Sequence, residues 1–175
     1  GTFDDVNAIS KIAVNTHLAG AAGTVTGAAI TRLLGGKTDI VMMLNGALAG
    51  LVAITAEPLT PGPITAMIIG SIGAVIMYFG TKMLEGFGID DVVGAIPVHM
   101  FAGIFGTLVV PFTNADTSLG TQFVGTLSVV LFSFVLSYLV FMAMKVTIGL
   151  RISKAAEKLG TDKAEVGVIA YSIRD

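Results

Sequence analysis

Five long stretches without a charged residue divide the chain: 12–31, 40–56, 58–81, 92–115 and 117–144. Within them the apolar residues run on continuously. They show neither the two-residue alternation of a half-buried strand nor the single apolar stripe of a surface helix. A helix rises ~1.5 Å per residue and the hydrocarbon core of a bilayer is ~30 Å thick, so about 20 residues make one crossing. The stretches hold 20, 17, 24, 24 and 28 residues, enough for one crossing each. The predicted spans are 8–31, 40–56, 64–84, 92–111 and 120–149, within a membrane domain over 1–150, followed by a polar tail over 151–175. The last span exceeds one bilayer thickness, which requires tilt or projection beyond the membrane. Barrel strands would instead show ~10-residue segments of alternating polarity. The predicted fold class is all-α, a polytopic membrane helix bundle of five transmembrane helices.

The junctions carry helix signals of their own. Leu34-Gly35-Gly36-Lys37-Thr38-Asp39 makes a short turn in which Thr38 or Asp39 caps the second helix. Pro58, Pro61 and Pro63 punctuate the next turn, and Asn114 to Ser118 form the loop before the fifth helix. Asp90 and Asp91 precede the fourth span, where carboxylates meet the positive end of a helix dipole. Arg32, Lys37, Lys82, Lys145, Arg151, Lys154, Lys158 and Lys163 all fall on one side of a five-span topology, and only Lys11 falls on the other. By the positive-inside rule that side is cytoplasmic, so the tail is inside and the N-terminus outside. The start Gly1-Thr2-Phe3-Asp4-Asp5 has no initiator methionine and no basic or cleavable apolar segment to export it. The chain is expected to be a piece of a longer multi-pass protein of a cell or inner membrane.

Composition narrows the classes. The chain is 54% hydrophobic and 13% charged, about half the ~25% charge of a soluble domain. A soluble enzyme is disfavoured, because five apolar helices in water would need charged outer faces. Net charge is −2, with no basic cluster in the first 140 residues, which argues against nucleic acid as a partner. Without cysteine there is no disulfide framework and no thiolate metal site. No cofactor and no metal are expected, and no Ser/His/acid set suggests an enzyme.

Small residues recur at helical spacing: Ala19, Gly23 and Gly27; Gly46 and Gly50; Gly70 and Ala74; Ala102 and Gly106. In lipid such positions let helix backbones approach closely. Asn15, Thr16, Asn45, Thr55 and Ser71 fall inside the spans and read first as interhelical hydrogen-bonding groups. Two histidines, His17 and His99, also fall there, and intramembrane imidazoles by default face a bundle interior or a cavity. His17 reads as structural. His99 lies eight residues after Asp91, ~12 Å into a helix that starts there. Pro97 removes a backbone donor and loosens the turn around Val93, while Ala95 and Ile96 share part of the His99 face. His99, Ala95, Ile96 and Thr55 form the candidate pore set, a small apolar surface beside one imidazole that suits a small neutral solute. Asp90, Asp91, Asn15 and Asn45 form a capping and structural set.

The run Ile89-Asp90-Asp91 followed by Val98-His99 and Gly103, with Val14-Asn15-Thr16, Leu44-Asn45-Gly46 through Thr55, and Gly149-Leu150-Arg151-Ile152-Ser153, resembles the ammonium transporter (Amt/Mep/Rh) family. The resemblance covers essentially the whole chain and corresponds to helices seven to eleven and the tail of an eleven-helix fold. It implies a homotrimer with one pore per subunit, formed between this half and an N-terminal half of the same fold. It implies two histidines sharing a hydrogen bond at mid-pore, of which His99 matches the second. Gly94 and Pro97 stand where many bacterial members have an acidic residue and a glycine. The resemblance further implies that the tail docks under a neighbouring subunit, with Gly149 and Arg151 as coupling residues and a PII-type regulator as a partner. Lys154-Ala155-Ala156-Glu157 stands where the family commonly has an acidic run. The function implied is passage of ammonium or ammonia through a hydrophobic pore with a histidine relay. The alternative is an ammonium sensor that signals through its tail to a fused or separate cytoplasmic module, a reading kept open by the stop at Ile173-Arg174-Asp175.

Overall fold

A computed structural model describes residues 2–170, and among them the chain is helix and connecting turn without a strand. The stop at Ile173-Arg174-Asp175 lies outside the described residues. The chain divides into two compact units, Gly1–Ser128 and Val129–Asp175. In the first, α1 (Phe3–Gly35), α2 (Ile40–Ile54) and α3 (Pro63–Gly86) pack mutually. A helical run then follows in three parts: a π-helix (Ile96–Phe101), α4 (Ala102–Val109) and a 3-10 turn (Val110–Phe112). The π-helix and α4 pack on both α2 and α3. α5 (Leu119–Thr147) begins in this unit, and none of its residues is buried.

Capping fixes where the first helices start. Thr2 and Asp5 form a reciprocal box: Asp5 N–H donates to Thr2 Oγ1 at 3.2 Å and Thr2 N–H to Asp5 Oδ2 at 2.7 Å. Donation from the Thr2 backbone N–H, and secondarily from the Thr2 hydroxyl, holds the Asp5 carboxyl below its usual range. Gly36, at φ 74°, closes α1 by donating to Arg32 O. Asp39, rather than Thr38, caps α2, its Oδ1 accepting from Met42 N–H at 3.0 Å.

The three helices meet through their small residues. A Cβ added at Gly23 would strike Gly46 O, one at Gly46 would strike Gly23 O, and Gly50 and Gly70 both abut Ala19 O. Two small clusters fill the remaining space. One holds Ala19, Ala53, Ile54, Ala66 and Ile69; the other holds Ala49, Met77, Val98 and Ala102. Backbone contact substitutes here for large interdigitating side chains, as expected where apolar transfer contributes little.

Two of the expected crossings, α3 and α5, combine sufficient length with sufficient hydropathy; α2 and the run Ile96–Phe112 are apolar but shorter. α1 outruns its expected span 8–31 at both ends, and the start of the fourth helix and the end of the fifth also differ from expectation. The fourth helix starts at Ile96, not Val92, because Gly94 takes a left-handed conformation at φ 74° and the Asp91 carboxylate receives the N–H groups of Ala95 and Ile96. The fifth stops at Thr147 and does not continue through Gly149-Leu150-Arg151. Ile148 and Gly149 both donate to Met144 O, and Gly149, at φ 81°, turns the chain out of the helix.

The second unit contains the C-terminal part of α5, the short α6 (Lys154–Leu159) and a single π-turn, Asp162–Val166. Ser153 caps α6 by accepting from Ala156 N–H at 3.1 Å. Asp162 Oδ2 accepts from Ala170 N–H at 3.0 Å, and that bond leads the effects that hold its carboxyl below the ordinary value.

Candidate functional site

Site geometry converges on the turn before the fourth helix. Asp91 uses both carboxylate oxygens, Oδ1 for Ala95 N–H at 2.9 Å and Oδ2 for Ile96 N–H at 2.8 Å. Two orphan donors at a helix start are thereby satisfied with charge of the favourable sign. No side-chain hydrogen bond involves Asp90 among the described residues; it borders a cavity of about 250 Å³ with Thr81, Glu85, Asp91 and Pro97. Pro97 cannot donate, so a π-helix replaces regular α-helix over Ile96–Phe101, and the chain returns to α-helix at Ala102.

This segment has two faces. Pro97 and Val98 are buried toward α3, where Val98 joins Met77 and a Cβ at Gly80 would touch Pro97 Cβ at 3.2 Å. His99 and Met100 point the other way and are exposed, with Ala95 exposed and Ile96 half-buried. The His99 ring has no hydrogen-bond partner among the described residues, so both nitrogens are free to bond something that approaches this face.

Asn45, on α2, donates from Nδ2 to Val93 O at 3.0 Å. The structure thus brings Asn45, Asp91, Ala95, Ile96 and His99 to one turn. Thr55 is placed elsewhere, at the C-terminal end of α2, its hydroxyl donating to Leu51 O at 2.6 Å. Ten residues separate it from Asn45, ~15 Å along a helix. Asn15 is fully buried and donates from Nδ2 to Pro58 O at 2.8 Å and Pro61 O at 2.9 Å, tying the α2–α3 loop to α1. His17 is exposed on α1, with Nδ1 at 2.7 Å from Ala13 O. In the second unit, the Arg151 guanidinium lies 3.3 Å from Glu157 Oε1 and is largely exposed.

Sequence reasoning missed two features. One is the link from Asn45 to the Val93 carbonyl, for which the missing N–H of Pro97, four positions on, was the available signal. The other is a clasp in which Glu57 Oε1 accepts from Leu59 and Thr60 N–H while Oε2 accepts from Asn114 Nδ2 at 3.1 Å. It joins two loops far apart in sequence, and no short-range pattern announces it. Among the described residues no group of three His, Cys, Asp or Glu is placed to hold a metal ion.

Comparison with known proteins gives a consistent result. A family model described as the Ammonium Transporter Family matches residues 2–171. The ammonium transporter Amt2 of Archaeoglobus fulgidus is 40% identical, with 93% of this chain and 39% of that protein aligned. A putative ammonium transporter of Synechocystis is 36% identical over 93% of this chain and 38% of its own length. Among solved structures, one described as a sensor Amt protein superposes with a TM-score of 0.83 at 30% identity, over 90% of this chain and 42% of that one. Candida albicans Mep2 gives 0.77 at 28% identity, over 90% and 39%. The chain spans about two fifths of the length of the curated relatives it matches. An all-helical fold built on small-residue contacts, a capped π-helical turn presenting a histidine, and a family match from end to end agree: the chain belongs to the ammonium transporter family, a family of membrane transporters rather than enzymes.

Proposed function

We propose that this chain supplies one half of an ammonium-conducting pore, with His99 as its hydrogen-bonding group. The observation that carries this reading is the placement of His99: an imidazole without an internal partner, exposed on an otherwise apolar face beside Ala95 and Ile96. A naked ammonium ion entering low dielectric faces a desolvation cost of tens of kcal/mol. A dry pore therefore passes ammonia, or parts the ion from its proton. An imidazole accepts one hydrogen bond and donates another, so His99 gives ammonia a partner and the proton a relay. A metal cation gains neither from it and remains unsolvated.

In this reading the exposed His99 face is covered by the N-terminal half of the same fold, the assembly is a homotrimer in the bilayer, and five crossings leave the tail in the cytoplasm. Thr55, at the far end of α2, lines the same route further along it. Gly149 and Arg151 belong to a tail that couples to a neighbouring subunit or to a PII-type regulator. Similarity to a chain described as a sensor does not favour signalling over transport, because the more identical curated relatives are named as transporters. The test is His99→Ala in the complete protein reconstituted in liposomes. Ammonium-selective flux is expected to fall about a hundredfold, the scale of removing a positioned proton-transfer group. Native flux with undiminished preference over potassium rejects the assignment.

A further inference from the structure

The His99 segment begins with a defect that its own sequence creates. In a regular helix the N–H of residue 97 would donate to the carbonyl of residue 93, and Pro97 has no N–H. The next donor, Val98 N–H, goes to Gly94 O at 3.2 Å. Val93 O is left for a side chain from another helix, and it receives Asn45 Nδ2 at 3.0 Å. Gly94, between the two, sits at φ 74°, and a Cβ there would lie 2.7 Å from that same Nδ2. The amide, the missing side chain at 94 and the missing donor at 97 are complementary parts of one joint.

We infer that Asn45 is a positioning residue that sets where His99 stands. α2 is a fixed post, because Gly46, the next residue, is locked backbone to backbone against Gly23 of α1. The opposite side of the segment is held by Pro97 and Val98, both buried. Among the described residues no hydrogen bond orients the His99 ring, so from this side its position is set by the backbone, and Asn45 is the side chain that ties that backbone to α2. Removal of the donor leaves Val93 O without a partner beside a glycine hinge, and the first turn is free to shift. Catalytic geometry tolerates little of this: a 1 Å misplacement of a working group can cost about a hundredfold.

The inference rests on the pore reading of His99, and the experiment separates the two. Asn45→Leu keeps size and removes the donor; Gly94→Ala leaves Asn45 intact and pushes its amide aside. In the complete protein in liposomes, each is expected to lower the maximal ammonium flux per folded protein about tenfold with half-saturation changed less than twofold. Adding either change to His99→Ala is expected to cost nothing further, since both act through the same ring. A purely structural role predicts a lower melting temperature with flux per folded protein unchanged, and that result overturns the inference. So does a double variant whose losses multiply. If His99→Ala itself conducts normally, the pore reading falls first; if His99→Ala fails while Asn45→Leu and Gly94→Ala conduct normally, only the positioning role falls. Should Asn45→Leu fail to fold, Gly94→Ala decides by the same measurements.

Discussion

Two asparagines inside apolar helices do similar work on different loops. Asn45 meets one carbonyl, whereas Asn15, fully buried, meets two: both donors of its amide are used on Pro58 O and Pro61 O, and its Oδ1 has no partner among the described residues. A buried carbonyl that loses its donor costs about 1–3 kcal/mol, and two lie side by side here. Asn15→Leu, close to isosteric, is expected to destabilise the protein by roughly 2–4 kcal/mol on that basis, with a clearly lower melting temperature in detergent and no dependence on ammonium. An unchanged melting temperature would show that water replaces the amide and that the loop needs no tie. The polar identity of this position was legible, since an amide in a charge-free stretch has to find partners. Its partners were not, because Pro58 and Pro61 are more than 40 residues away and their carbonyls are invisible in any side-chain pattern.

At the scale of elements, the first three helices followed from the apolar pattern, with a cap anticipated only for α2 and α1 overrunning its expected 8–31 at both ends, and the fourth did not. Apolar continuity over 92–111 gives the same signal whether Val92 begins a helix or belongs to a turn. What decides is the pair Gly94 and Pro97: the first admits a left-handed backbone and the second denies a donor, so regular helix is postponed to Ala102. At the other end, Gly149 stops α5 by the same left-handed geometry, although the apolar run continues through Ile148. The tail has an element held by charge. Asp162 caps the Ala170 N–H, and its carboxyl is depressed chiefly by that bond. A depressed carboxyl gives its contribution above the unfolded value and loses it as pH falls through the folded one. The clasp is therefore expected to persist through the ordinary carboxylate value of 3.8 and to open only below it. The amide shift of Ala170, followed by NMR in an acid titration, is expected to move with a midpoint under 3.8, and a midpoint at or above that value refutes the clasp.

For the molecule as a whole, charge-free lengths identified a membrane bundle, because the cost of an unpaired charge in hydrocarbon leaves a direct mark on sequence. The His99 face left no such mark: Ala95, His99 and Met100 are exposed in this chain, and it is only in the proposed pore that an N-terminal half of the fold covers them. Topology is the property of the whole that this stretch can still test. α1, at 33 residues, reaches ~50 Å, well beyond the ~30 Å hydrocarbon core, so its first turns with Asp4 and Asp5 stand clear on one side. In the proposed topology five crossings place Lys154 to Lys163 on the other side. Without a native cysteine in the chain, a single introduced thiol is the only one in this region. In sealed vesicles of known orientation, a membrane-impermeant maleimide is expected to label Val6→Cys from the external face and Ala155→Cys only after the cytoplasmic face is exposed. Labelling of both from one side requires an even number of crossings. That outcome would remove α1, α2 or the run Ile96–Phe112 from the spanning set, since these are the expected crossings that do not combine sufficient length with sufficient hydropathy.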